Sequence, residues 1–160
     1  MWTKELFGTE KPIIALLHLD PLPGDPDFCG SLDTVIEHAS CDVKALQEGG
    51  VDGVLIANEF SFPMTYVSHT ETLMAMACVI GAIKKDIHVP FGTNVVMNPE
   101  ETIRMAKAVG ASFGRSAFAG AFTGTYGVHV NNFGENVRLK YALGIPEMKL
   151  LCKINPEGDV

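Results

Sequence analysis

Eight residues of this chain are of types that could do chemistry together: His18, Asp20, Asn58, Glu59, Asn94, Arg115, Lys153 and Asn155. Asn94 and Arg115 stand inside predicted strands, and the other six at or just past a strand's end. In parallel α/β folds, ligands and catalytic groups gather at the C-terminal ends of the strands. His18 and Glu59 form a candidate acid/base pair, since imidazole titrates near neutral pH and burial raises a carboxylate towards it. The planar fork of Arg115 suits a phosphate or carboxylate. Lys153 neutralises an anion or, if desolvated, acts as a nucleophile. Asp20, Asn58, Asn94 and Asn155 are the matching substrate contacts. His18, Asp20 and Glu59 also form a nitrogen-and-oxygen ligand set of the kind divalent ions accept. Strand separation rather than spacing decides that geometry, so no metal is assigned.

Each role has a structural alternative. His18 could simply cap a core strand while the prolines after it set a turn. Glu59 and Arg115 could pair with each other inside the fold, because a buried charge needs a partner. His129, with Asn131 and Asn132, lies in a long glycine-bearing loop that reads either as a lid or as a segment without a role. His38, His69 and His88 read as surface or helix residues.

The elements that would position these side chains follow from periodicity. Ile13–Leu17 is a continuous apolar run within Pro12–Leu19, as expected for a strand buried on both faces. Four prolines between Pro12 and Pro26 follow or bound it and force the chain into a stiff loop. Leu32, Val35, Ile36, Ala39, Val43 and Leu46 give one helical stripe, capped by Ser31 or Asp33 and ended by Gly49-Gly50. Further strands are predicted at Val51–Ala57, Val89–Met97, Ser112–Phe118 and Lys149–Ile154. Helices are predicted at Thr70–Lys85, from Asn98-Pro99 to Gly110, and at Glu135–Leu143. Asn98-Pro99-Glu100-Glu101 is a strong helix start: cap, proline, and glutamate three residues after the cap. Gly114 is unfavourable inside a strand. Ala119–Gly134 is expected to be a loop. Met1–Gly8 reads as an amphipathic lead-in, with Trp2 and Phe7 covering one end of the fold. The order strand–helix–strand implies crossovers and one parallel sheet, which suits either a doubly wound sheet or part of a (β/α)8 barrel.

Composition narrows the function. The 160 residues suit one domain with a proper core. Hydrophobic content of 47% and charged content of 19% are those of a folded protein. The net charge of −7, with no basic cluster, argues against a nucleic-acid partner. No apolar run approaches the roughly 20 residues of a membrane span. The N-terminus, holding Lys4, Glu5, Glu10 and Lys11, does not read as a signal peptide. Cys29, Cys41, Cys78 and Cys152 form no C-x-x-C pair and read as reduced thiols of a cytoplasmic protein. Neither G-x-G-x-x-G after the first strand nor G-x-x-x-x-G-K-[ST] occurs, so no nucleotide cofactor is indicated and the cofactor stays unknown.

The run H-L-D-P-L-P-G-D-P (His18–Pro26) resembles the H-L-x-x-L-P-G-D-P signature of the BtpA/SgcQ family. The resemblance continues through A-L-Q-E-G-G-V-D-G-V (Ala45–Val54), N-E-F-S (Asn58–Ser61), V-P-F-G-T-N-V (Val89–Val95), F-x-R (Phe113–Arg115), G-A-F (Gly120–Phe122) and N-P-E (Asn155–Glu157). It implies an α/β fold of the (β/α)8 TIM-barrel type, in the ribulose-phosphate-binding class. Members are named for photosystem I assembly or occur in sugar-utilisation operons. A whole barrel takes about 250 residues. The expectation is therefore a truncated barrel of about five strands and four helices, one incomplete domain over residues 1–160. Open sheet edges would then favour self-association or leave the chain poorly stable. Gly114, Ser116, Thr125 and Lys153 depart from the family pattern. Three readings follow: an enzyme or binder for a small phosphorylated or anionic metabolite of sugar type, a non-enzymatic membrane-complex or photosystem biogenesis factor, and an inactive truncated paralogue.

Overall fold

The computed structural model describes residues 1–154. After a short helix α1 (Trp2–Phe7), strands and helices alternate: β1 (Ile14–His18), α2 (Leu32–Glu48), β2 (Gly53–Ala57), α3 (Thr70–Ile83), β3 (Phe91–Asn94), α4 (Pro99–Val109) and β4 (Phe113–Ser116). Then come β5 (Gly120–Gly124), β6 (Gly127–Asn131), α5 (Phe133–Ala142) and β7 (Lys149–Cys152). The main sheet has the order β1-β2-β3-β4-β7 and is parallel throughout. Five strands, each linked to the next by a crossover containing a helix, match the expected architecture, with strand ends up to three residues shorter than predicted.

One expectation fails. Ala119–Gly134 is not a plain loop: β5 and β6 pair antiparallel from Gly120↔Asn131 to Gly124↔Gly127, closed by Thr125-Tyr126. Gly127 has φ +109°, the left-handed region that glycine tolerates. Its apolar Val128 and Val130 face solvent while His129 and Asn131 turn inward, so the usual polarity of a half-buried strand is inverted.

The sheet has two unlike faces, and alternation along each strand assigns residues to them. Leu17 and Leu19, Val54 and Ile56 pack beneath the helices, in the large core with Val35, Met76, Ile80 and Ile103. The opposite face carries Ile14, Leu55, Phe113 and Leu151, packed with Phe7 and Leu6 of α1. The Phe7 ring meets Phe113 edge-on at 5.4 Å, so the lead-in helix covers the N-terminal end of this inner face. Trp2 stays 39% exposed beside it.

Two glycines explain why strands approach so closely. A Cβ on Gly92 would lie 2.4 Å from the Phe113 ring, so Gly92 makes room for that ring. A Cβ on Gly114 would lie 2.8 Å from both Met148 and Thr102, on the helix side. The glycine that disfavours β4 by propensity is thus required by its packing.

Helix starts follow the sequence with one exception. Ser31 caps α2, its Oγ accepting the Thr34 N–H at 3.2 Å. Asn98 occupies the cap position of α4 but makes no cap bond. Its Nδ2 donates to Val96 O and Thr65 O instead, tying two loops together.

Candidate functional site at the C-terminal ends of the strands

His18 pairs in register with Ala57, and Ala57 with Asn94. Partners in a parallel ladder share a face, so His18 and Asn94 stand on the inner face. Gly92 pairs with Phe113, which puts Arg115 on that face beside Asn94. Lys153 extends the β7 ladder, its N–H donating to Ser116 O at 2.9 Å, and shares the face of Leu151. Glu59 lies in the turn just after β2, and the next residue, Phe60, sets its ring edge-on against His18 at 5.8 Å.

These side chains have polar atoms that the fold buries but does not match. His18 Nε2, Glu59 Oε2, Asn94 Nδ2 and Arg115 Nε are all buried without a hydrogen-bond partner among the described residues. Asn94 as a whole is only 1% exposed. Glu59 and Arg115 form no ion pair with each other or with any described residue, so the alternative in which they neutralise one another is not realised. Buried polar groups are satisfied in most folded proteins, and clusters of exceptions need a cause.

Other expected contacts lie elsewhere. Asp20 turns away from the inner face: His38 Nδ1 of α2 lies 2.6 Å from its Oδ2. That contact, together with the negative charges around it, raises the His38 pKa above the ordinary 6.5. Asn58 is 7% exposed, and its Oδ1 accepts the Val96 N–H at 2.9 Å. It ties the β2 loop to the β3 loop on the helix side. Asn132 caps α5, accepting from Gly134 N and Glu135 N. Asn155 lies outside the described residues.

Asp25 was missed by the sequence reading, although it closes the P-G-D turn. Its Oδ2 accepts both the Leu22 N–H and the Ser61 hydroxyl, each at 2.6 Å. Thr72 of α3 donates to Pro23 O, and Gly24, with φ +98°, brings the backbone within reach of Glu71 and Thr72. This clasp joins the proline-rich loop after β1 to the N-E-F-S loop after β2. Asp25, Asn58 and Ser61 border a cavity of about 30 Å³, the size of one or two waters. Met97, just beyond β3, holds φ +66°, a backbone strain that concentrates near functional sites.

Residues 9–160 match the profile of the BtpA family. The chain belongs to the BtpA family. It is 45% identical to the putative sgc region protein SgcQ of Escherichia coli (strain K12) over 161 residues, covering 99% of this chain and 60% of that protein. It is 32% identical to the photosystem I biogenesis protein BtpA of Synechocystis sp. over 143 residues, covering 87% of this chain and 50% of that one. The chain therefore spans between half and two thirds of the length of these two relatives. Dihydropteroate synthase from Stenotrophomonas maltophilia superimposes with a TM-score of 0.59 at 19% identity, over 92% of this chain and 44% of that one. The Xanthomonas albilineans enzyme gives 0.58 over 92% and 47%. These neighbours are of the TIM-barrel type and establish the fold: a BtpA-family chain with the strand and helix order of that barrel. No described helix is long and apolar enough to cross a membrane.

Proposed function

We propose that the inner face at the strand ends binds a small anionic metabolite, with a phosphorylated sugar as the leading class. The observation that carries this reading is the set of buried, unmatched polar atoms on His18, Glu59, Asn94 and Arg115. An arginine without a carboxylate partner in a partly buried position keeps its fork for an outside anion. Asn94 Nδ2 offers a further donor, and Lys153, just past β7 and next to the strand that carries Arg115, adds its own positive charge. His18 and Glu59 hold and move protons at Nε2 and Oε2, as an acid/base pair requires. The expected test is a thermal melt with and without inorganic phosphate or a sugar phosphate. The ligand raises Tm in the unaltered chain, and Arg115→Ala removes the rise. A melt indifferent to these anions rules the reading out.

The kinship to a photosystem I biogenesis protein at 32% identity favours a second reading, in which the chain acts as an assembly factor. Its mark is a stable protein partner retained by the double variant His18→Ala/Glu59→Ala.

A further inference from the structure

The β5–β6 hairpin makes ring contacts with the β2–α3 loop through His129. His129 lies between Phe122 of its own hairpin, stacked at 5.1 Å, and Tyr66 of the β2–α3 loop at 4.5 Å. Beneath this contact, between the hairpin and the start of α4, is a cavity of about 400 Å³. Small-molecule sites run from roughly 300 to 1,000 Å³. Three polar atoms of its lining are buried without a hydrogen-bond partner among the described residues: Ser68 Oγ, His129 Nδ1 and Asn131 Nδ2. None belongs to the inner-face set.

The lining also selects a chemistry. Glu100 and Glu101 border the cavity, and Arg104 reaches them at 3.6 and 3.5 Å. Two carboxylates against one guanidinium leave a net negative rim, which opposes a phosphate or carboxylate. The described residues hold no cluster of three His, Cys, Asp or Glu side chains able to bind a metal ion. An amide NH2 can only donate, and a carboxylate can only accept. A hydroxyl does both, so a ligand rich in hydroxyls satisfies Asn131 and the glutamates at once. The Tyr66 ring supplies an apolar wall for the carbon skeleton.

We infer that this cavity is a second binding site, for an uncharged polyhydroxylated molecule of monosaccharide or polyol size. It is independent of the anion site on the inner face. The experiment is calorimetric titration of the whole chain with D-glucose, D-galactose, sorbitol and myo-inositol, with methylamine and inorganic phosphate as charged probes. Saturable binding of at least one uncharged probe is expected. Asn131→Ala and Ser68→Ala each weaken it about tenfold, the size of one lost hydrogen bond. Arg115→Ala leaves it unchanged. In the unaltered protein, the ring resonances of His129 move on addition of that probe while those of His38 stay fixed, a readout that needs no variant. The inference is overturned if no uncharged probe saturates, if binding persists in Ser68→Ala/Asn131→Ala, or if methylamine or phosphate shifts His129 instead. A phosphate-dependent melt abolished by Arg115→Ala but not by Asn131→Ala reports on the inner face alone.

Discussion

Removing the Asp25 carboxylate unties two loops at once, because one oxygen serves both Leu22 N and Ser61 Oγ. Hydrogen bonds to a charged acceptor are worth about 1.5–3 kcal/mol each, and the two share one acceptor. Asp25→Ala is expected to lose about 2–3 kcal/mol in urea unfolding, whereas Asp27→Ala, an exposed neighbour, should lose almost nothing. Asp20 matters differently. The His38 pKa is raised by Asp20, so the pair stabilises the fold fully below the unfolded value of 6.5 and loses that effect as pH rises through the higher folded value. An NMR titration should show the His38 midpoint falling back towards 6.5 in Asp20→Asn. The sequence holds three aspartates in one proline-rich loop and cannot say which faces inward. That depends on where α2 passes, since His38 lies 18 residues further along the chain. His18, Asn94 and Arg115 share one face because alternation within a strand is a short-range rule. Asn58, one residue past the end of β2, falls on the other face, where it bonds Val96.

Among the elements, helices were the most readable. The stripe from Leu32 to Leu46 predicts α2, and a long amphipathic pattern leaves little choice. The hairpin was not readable. Its valines point outward and its histidine and asparagine inward, so the alternation is present with the wrong sign for a strand on a core. Glycines at Gly120, Gly124 and Gly127 further disguised it as a loop. In β3 and β4 the controlling fact is a close approach invisible in one dimension. Gly92→Ala drives a methyl group into the Phe113 ring, and overpacking of this kind costs about 1–3 kcal/mol. A lower urea midpoint with an unchanged slope is the expected result. Recovery in Gly92→Ala/Phe113→Leu would show that the ring, not the lost glycine flexibility, is responsible.

On the scale of the molecule, the main sheet has β1 and β7 as its edge strands, unpaired on their outer sides among the described residues. Its inner face is covered by α1 at one end only, and Leu16 in the middle of β1 remains 45% exposed. Unpaired edges next to apolar surface favour pairing with another chain. Light scattering is expected to give a mass above that of one chain, and Leu16→Lys should shift it towards the monomer. A monomer in both cases would mean that the edges are protected in another way. One parallel sheet with helical crossovers was legible from the order of elements; the barrel type rested on the family resemblance, because the same order also suits a doubly wound sheet. The pairing of the strands has a further consequence. Each neighbouring pair in the main sheet joins segments separated by a whole helix, so none can form before its crossover is in place. The hairpin alone closes across two residues. Local pairings form early and cheaply, and distant ones late. The hairpin is therefore expected to pair first as the chain folds, ahead of the main sheet.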